Sequence, residues 1–475
     1  MDNNNMSTNT KQSELTGHDV KSFLKKQRDY FASGVTKSVK FRKTQLRKLK
    51  ELIENNEEAI IEALHKDLRK HEFEAYTTEI GFVIVDIDKA LSKLHKWAKP
   101  EKVSTPPFLY VGSSHIRPEP YGTVLVIAPW NYPVQLMLAP LIGAMAAGNT
   151  AIVKPSEMAP HTSSLLARLI NSTFDARYIR VVEGAVRETQ LLLEEKFDFI
   201  FFTGSTKVGK IIYQAAAKHL TPVALELGGK SPCIVDTDIQ LDYTAKRIIW
   251  GKFINAGQTC IAPDYLLVDR RIKDALVEKL VYYIREFFGE NPQESNSLAR
   301  IINDTHFNRL TAYLEDGKII TGGKVDQVDK YIAPTLLDEV SMDADVMQDE
   351  IFGPILPIIT YGNLREAIEL INDRPKPLAL YIFSKNEKKI EAILGQTSAG
   401  GVTINDTLMH IVNGSLPFGG VGDSGIGAYH GEHSFDLFSH KKPVLHRSFM
   451  VEEPIRYAPF KLKLSWIKKI MKWSL

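Results

Sequence analysis

At 475 residues the chain is long enough to bury two or three cores. Its 44% hydrophobic and 24% charged content suits a soluble globular protein, and 59 basic against 57 acidic residues leave a net charge of +2, so no global field draws nucleic acid. Two cysteines exclude a disulfide framework and fit a reducing cytoplasm, and no Cys/His cluster has zinc spacing, so no metal site is expected.

Residues 1–17 are polar and Asn/Thr-rich and lack the apolar centre of a signal peptide, which predicts a disordered tail. Apolar residues at three-to-four spacing predict helices over Val20–Phe31, Gln45–Lys66 and Phe73–Trp97. The basic run Lys37–Lys50 carries Phe41, Leu46 and Leu49 at helical spacing and reads as a solvated helix face. Pro100, Pro106 and Pro107 end this pattern, and Ser113–Pro120 reads as a short extended excursion.

From Tyr121 the chain alternates. Strands are predicted at Thr123–Ala128, Thr150–Val153, Ile179–Val182, Asp198–Phe202 and Pro222–Leu227. Helices are predicted between and after them at Val134–Ala147, His161–Ser172, Arg187–Glu195 and Lys207–Lys218. Elements of these lengths imply βαβ units and a parallel sheet with right-handed crossovers. A second alternating region runs from Ser231 to about Ile404. It has a helix-like run at Tyr243–Ile254 and strands at Tyr265–Val268, Pro354–Thr360, Leu378–Phe383 and Gly401–Ile404. No solenoid repeat is present, and no uncharged apolar run approaches the ~20 residues that span a bilayer.

Residues 455–475 read as a basic amphipathic helix. Lys461, Lys468, Lys469 and Lys472 take one side of the wheel; Phe460, Leu464, Trp466, Ile467, Ile470, Met471 and Trp473 take the other. That pattern fits a helix lying on a membrane surface, and equally one that packs on its own protein or a second subunit.

Cys260 carries the chemistry. It ends a Gly257-Gln258-Thr259-Cys260 loop between the helix-like and strand-like runs, where a thiol can sit at the bottom of a cleft beside backbone N–H groups able to bind an oxyanion. A polar, helix-terminal setting is expected to lower its pKa from about 8.5. Cys233, inside Ser231-Pro232-Cys233-Ile234-Val235, reads as a small buried hydrophobe.

Other segments are ambiguous alone. Gly420-Val421-Gly422-Asp423-Ser424-Gly425 matches a dinucleotide fingerprint, but no strand precedes it and no strand with an acidic end follows, so it is a decoy. Phe201–Gly209 is a better candidate, because an apolar strand enters a Gly204-Ser205-Thr206 turn that opens a helix, although such a turn is also an ordinary cap. Lys154 and Glu157 end a strand and read as ribose ligands or as surface charge. Asn131 reads as a turn residue before Pro133. Glu226 reads as a desolvated base or as the ion-pair partner of Lys230.

Taken in order, the segments are Pro129-Trp130-Asn131-Tyr132-Pro133, Lys154-Pro155-Ser156-Glu157, Gly204-Ser205-Thr206-Lys207-Val208-Gly209, Leu225-Glu226-Leu227-Gly228-Gly229-Lys230-Ser231-Pro232, Gly257–Cys260, Glu350-Ile351-Phe352-Gly353-Pro354 and Pro417–Gly422. From about residue 20 to 450 this closely resembles the aldehyde dehydrogenase superfamily. The Gly257–Tyr265 segment, the short N-terminus and Tyr429-His430-Gly431 resemble its class 3 branch, which includes fatty aldehyde dehydrogenases.

The resemblance implies an α/β fold in three parts. A Rossmann-like parallel-sheet domain of five strands would bind NAD (18–105 and 121–225), an α/β catalytic domain would follow (226–425), and a small β domain would drive oligomerisation (106–120 and 426–454), commonly as a homodimer. It implies Cys260 as nucleophile, passing through a thiohemiacetal and a thioester, Asn131 as oxyanion donor and Glu226 as the base that activates water. Trp130, Gly204, Ser205, Gly209 and Leu227 would line the coenzyme, Glu350 and Phe352 would hold the nicotinamide end, and Lys154 and Glu157 the adenosine ribose. Glu157 would repel a 2′-phosphate, so NAD is expected, with NADP left open.

Expected substrates are hydrophobic aldehydes, medium- or long-chain aliphatic or aromatic, oxidised in the cytoplasm or peripherally at a membrane through the C-terminal helix. Two alternatives remain: a relative that passes the acyl group to coenzyme A, against which Glu226 argues, and a non-enzymatic membrane-associated relative, against which the full residue set argues.

Overall fold

The computed structural model describes residues 15–106, 109, 111–450, 452, 457–460 and 462–473. Three large sheets organise it, beside a two-stranded pair of Val325–Asp326 with Tyr331–Ile332, and the first follows directly from the apolar runs. Thr123–Ile127, Thr150–Lys154 and Phe199–Thr203 are buried throughout, as parallel strands covered on both faces must be. Across the sheet the order is Gly425–Ile426, Val223–Glu226, Phe199–Thr203, Thr123–Ile127, Thr150–Lys154, Ile179–Val181. Five strands are parallel, the number the resemblance implies. The sixth is a two-residue addition, antiparallel to Val223–Glu226, supplied from far along the chain. The helix Gln135–Ala147 is buried on every side, which its unbroken apolar composition requires.

The chain leaves the central strand Thr123–Ile127 in one direction and later returns to its other side. This places a switch in strand order at its carboxyl end, where open α/β sheets bind ligands. The glycine decoy lies at the same edge but opens no helix: Gly422 and Gly425 have positive φ and turn the chain back into the short sixth strand.

The second sheet has seven strands in the order Lys318–Thr321, Thr335–Asp338, Ile355–Tyr361, Tyr265–Asp269, Pro232–Val235, Ala379–Phe383, Gly401–Ile404. All pair in parallel except the first, an edge strand whose first two residues are exposed and which alternation alone does not reveal. Cys233 is fully buried in it, as expected of a small hydrophobe.

The third sheet is antiparallel: Glu101–Val103, Gly112–Pro120 and Ser439–Arg447, the last two matched over nine residue pairs. Glu101–Val103, grouped above with the nucleotide-binding segment, therefore pairs with the excursion. The strand contributed after residue 425 begins only at Ser439, since Gly425–Ile426 belongs to the first sheet.

Three helix expectations change. The predicted Gln45–Lys66 helix is two, Val39–Glu54 and Glu57–Leu68, broken at Asn55-Asn56. Phe73–Trp97 is interrupted by a π-helical turn at Tyr76–Ile80. Among the described residues the C-terminal helix spans Leu464–Trp473, so Phe460 lies outside it; residues 455, 456, 461, 474 and 475 of the expected 455–475 lie outside the described residues. At the other end, Thr16 and Asp19 form a capping box that starts a helix at Gly17, inside the expected tail, whose residues 1–14 lie outside the described residues. No described helix is long and apolar enough to cross a membrane.

Candidate active site

The loop bearing Cys260 is built on an unusual backbone. After the helix Leu241–Phe253, Asn255, Ala256 and Gly257 all adopt left-handed φ of 52, 52 and 75°. For Ala256 this costs roughly 1–2 kcal/mol, while the short polar side chain of Asn255 tolerates it. Gly257 has no alternative, because a Cβ there would lie 2.2 Å from the Gly353 carbonyl oxygen. Hydrogen bonds hold the bend. The Asn255 N–H donates to Glu74 Oε1 (2.9 Å), and Asn255 Nδ2 donates to the carbonyls of Asn131 (2.8 Å) and Gln258 (3.1 Å). The Gln258 amide donates to the Asn255 and Arg300 carbonyls and accepts from the Ile302 N–H.

The bend delivers Cys260 to the junction of two cavities. One, of about 590 Å³, is largely apolar, with Phe82, Trp250, Phe253, Phe287, Phe288 and Phe418 in its wall. The other, of about 770 Å³, lies at the carboxyl ends of the first sheet and is lined by Trp130, Asn131, Gly204, Ser205, Glu226, Leu227, Glu350 and Phe352. Cys260 and Leu136 line both.

Glu226 ends the strand Val223–Glu226 almost fully buried, and neither carboxylate oxygen has a hydrogen-bond partner among the described residues. Burial alone holds its pKa well above the ordinary carboxylate range. Lys230 is not its counterion: that ammonium lies 2.5 Å from Asp264 and donates to the Val346 and Asp349 carbonyls. Glu350 reaches over Gly228, where a Cβ would stand 2.0 Å from Glu350 Oε2. Burial first, then Asp264, raises the Glu350 carboxyl, with the Gly229 amide acting the other way.

The thiol expectation is overturned. Cys260 follows a 3₁₀ turn rather than opening a helix, and burial, then Glu350 and Glu226, push its pKa up. The amides of Cys260 and Ile261 oppose this without cancelling it.

Asn131 is fixed by residues that sequence reasoning missed. Lys70 and Glu79 form a fully buried ion pair at 2.5 Å. Lys70 Nζ also donates to the Asn131 carbonyl (2.9 Å) and sits 4.0 Å from the Tyr132 ring centroid. Glu79 Oε2 accepts the Val134 N–H at 2.8 Å, and Tyr132 meets Thr259 through a 2.7 Å hydroxyl pair. Asn131 Nδ2 donates to the Gln258 carbonyl (3.1 Å), which leaves its second amide hydrogen for a ligand. The available sequence signal was the set of charges Lys70, Glu74 and Glu79 around a helical stretch, and Glu79 lies in the π turn, a feature frequent at functional sites.

The remaining candidates divide. Trp130 packs edge-on against Phe352 at 5.3 Å, and Phe352 itself has φ 50°. Ser205 caps the helix Thr206–Ala217 by accepting the Val208 N–H. Gly209 lies beneath the cleft, where a Cβ would reach within 2.6 Å of Leu227 Cδ2, so the helix can approach that closely only with glycine. Lys154 and Glu157 are not among the residues lining this cleft. Lys154 is buried at its strand end, bonds the Pro155 carbonyl and lies 3.5 Å from Glu157, which is partly exposed.

The aldehyde dehydrogenase family profile matches residues 3–444. The chain belongs to the aldehyde dehydrogenase family. It is 52% identical over 445 residues to the 4,4'-diaponeurosporen-aldehyde dehydrogenase of Staphylococcus aureus, covering 93% of this chain and 97% of that protein. It is 49% identical to the dimeric NADP-preferring aldehyde dehydrogenase of Rattus norvegicus, covering 93% and 98%. Among solved structures, a substrate-bound Staphylococcus aureus AldH superposes with a TM-score of 0.93 at 50% identity, covering 95% of this chain and 99% of that one. This aldehyde dehydrogenase is thus an enzyme of aldehyde oxidation, and the α/β architecture expected from its sequence is the fold that it has.

Proposed function

We propose that this aldehyde dehydrogenase converts hydrophobic aldehydes to carboxylic acids through a covalent Cys260 intermediate, with a nicotinamide coenzyme. One observation carries the reading: Cys260 is partly exposed where an aromatic-walled cavity meets a polar cleft at the strand ends. Substrate enters through the former and coenzyme occupies the latter.

The resting thiol is protonated, so its proton must leave as Sγ adds to the aldehyde carbon. That proton passes to solvent through the polar cleft that Cys260 lines, and the unpaired carboxylate of Glu226 in the same cleft stays free for the later hydrolytic step. The carbonyl oxygen becomes an oxyanion, and the free Asn131 amide hydrogen with a Cys260-loop N–H supplies its donors. A nicotinamide coenzyme bound in the cleft supplies the acceptor for the aldehyde hydride. Glu226 then takes a proton from water, whose oxygen attacks the thioester carbon, and Sγ departs with its electron pair as the acid forms. Burial, which holds this carboxyl above the ordinary carboxylate range, makes its ionised form a stronger base for that task.

The cleft fits a dinucleotide. Gly228 leaves the space that Glu350 needs, Gly204 and Ser205 open a helix N-terminus, and Trp130, Leu227 and Phe352 give apolar walls. Lys154 and Glu157, at the end of the neighbouring strand Thr150–Lys154 and outside the lining of the cleft, would meet the adenosine ribose. Because Glu157 leans on Lys154, its repulsion of a 2′-phosphate is weaker than the sequence suggested, and the rat relative is named NADP-preferring; use of both coenzymes follows. The first sheet and its helices form the coenzyme part and the second the catalytic part. The third serves a homodimer, for Ser439–Arg447 has an open edge among the described residues and a relative is named dimeric. The C-terminal helix, with Leu464, Trp466 and Met471 exposed, covers the substrate funnel or rests on a membrane surface of a cytoplasmic enzyme.

A chain-length series of aldehydes with each coenzyme tests the assignment. Catalytic efficiency should climb from two carbons toward long or aromatic aldehydes. Preference for short polar aldehydes, or product formation that requires added coenzyme A, would overturn it.

A further inference from the structure

We propose that Glu74 is a positioning residue for this chemistry: its carboxylate locks the left-handed bend that presents Cys260 and, through the same asparagine, sets the oxyanion donor. The proposal rests on the reading of Cys260 as nucleophile and extends it to a side chain that touches neither sulfur nor cleft.

Three observations converge. First, the bend at Asn255-Ala256-Gly257 holds Ala256 in a conformation that alanine resists, and the backbone N–H of its first residue is satisfied by Glu74 Oε1 at 2.9 Å. Removing this acceptor leaves a buried amide unpaired next to the strained residue. Second, Asn255 joins the two halves of the active centre. Its side chain donates to the Asn131 carbonyl and to the Gln258 carbonyl, the same oxygen that receives the Asn131 amide. A shift of Asn255 therefore moves the thiol loop and the oxyanion donor together. Third, Glu74 stands in the wall of the apolar cavity, beside Tyr132 and Thr259. Burial lifts its pKa to about 7, opposed by Lys70 and by the Asn255 amide and reinforced by Glu79. An ionisable group in an aromatic pocket weakens apolar binding, and the bond it makes to the bend gives it a reason to be there.

The test compares Glu74→Gln, Glu74→Ala and Glu74→Asp in the full-length enzyme. The readouts are steady-state kinetics with each coenzyme and the rate of Cys260 alkylation by iodoacetamide without coenzyme, with Cys260→Ala alongside and far-UV circular dichroism confirming folding. Glutamine keeps an acceptor oxygen at the same reach, so kcat and alkylation should stay within roughly threefold of the native enzyme. Alanine removes the acceptor, and both kcat and kcat/KM should fall together by roughly ten- to a hundredfold, with slower alkylation and little change in aldehyde KM. Aspartate, too short to reach, should behave like alanine and keeps the test open if alanine does not fold. Native kcat and alkylation in both short variants would overturn the proposal. So would equal losses in glutamine and alanine, or a change in KM alone. Native turnover by Cys260→Ala would instead overturn the underlying chemistry, while an inactive Cys260→Ala beside unaffected Glu74 variants would remove only the role of Glu74.

Discussion

Replacing Glu226 by glutamine keeps the shape of the side chain and removes the base. In the fold this carboxylate is almost fully buried, no hydrogen bond engages either oxygen among the described residues, and the nearby ammonium of Lys230 is committed to Asp264. No neighbour loses an ion-pair or hydrogen-bond partner among the described residues, so the variant should fold normally. A positioned general base contributes roughly 10²- to 10⁴-fold, which is about 3–5 kcal/mol of barrier, and that loss should fall on thioester hydrolysis. Stopped-flow absorbance should show up to one equivalent of reduced coenzyme per chain forming rapidly, followed by a steady state slower by about that factor. The native hydrolysis rate should rise with pH through the raised pKa of Glu226, since only the ionised form accepts a proton; the glutamine variant should lack that limb. Native steady-state turnover in the variant, with the pH limb intact, would refute the reasoning.

Three other consequences are open to measurement. Asn131→Ala removes the proposed oxyanion donor and should lower kcat by roughly 10²–10³-fold with little effect on aldehyde KM; a pure KM effect would contradict that role. Gly228→Ala places a Cβ 2.0 Å from Glu350 Oε2 and should raise the coenzyme KM at least about tenfold while Cys260 alkylation proceeds normally; equal loss of both would locate the damage elsewhere. Lys252 is fully buried, its Nζ has no hydrogen-bond partner among the described residues, and burial lowers its pKa from 10.5 to about 8. The unfolded chain then binds more protons between these values, so stability rises with pH across that window and the penalty, roughly 3 kcal/mol, is fully present below it. Lys252→Met should therefore stabilise the protein at neutral pH, read as a later urea midpoint, and the gain should vanish above pH 10.5; no shift at neutral pH would contradict this.

Local patterns carried much of the fold. Strands such as Phe199–Thr203, buried on both faces, leave continuous apolar runs, and the fully buried helix Gln135–Ala147 leaves a longer one, so the parallel sheet was readable. Breaks were less so: Asn55-Asn56 is compatible with helical composition, and the π turn at Tyr76–Ile80 changes hydrogen-bond spacing without changing residue type. Cys260 was legible because a loop between helix and strand is local. The environment of that thiol was not, because its pKa depends on Glu226 and Glu350, brought in from other elements. The supports were equally hidden. Lys70 bonds a residue 61 positions away and Glu74 one 181 positions away, separations over which composition carries no register. The Lys230 alternative was settled only by Asp264, 34 positions further along the chain.

Mass spectrometry of the Glu226→Gln enzyme, quenched soon after mixing with a long-chain aldehyde and coenzyme, tests the central claim most directly. The account predicts one acyl group per chain, carried on the peptide containing Cys260 and absent from Cys260→Ala. Reduced coenzyme formed in the burst without acyl mass on that peptide, or with the mass on another residue, would contradict it.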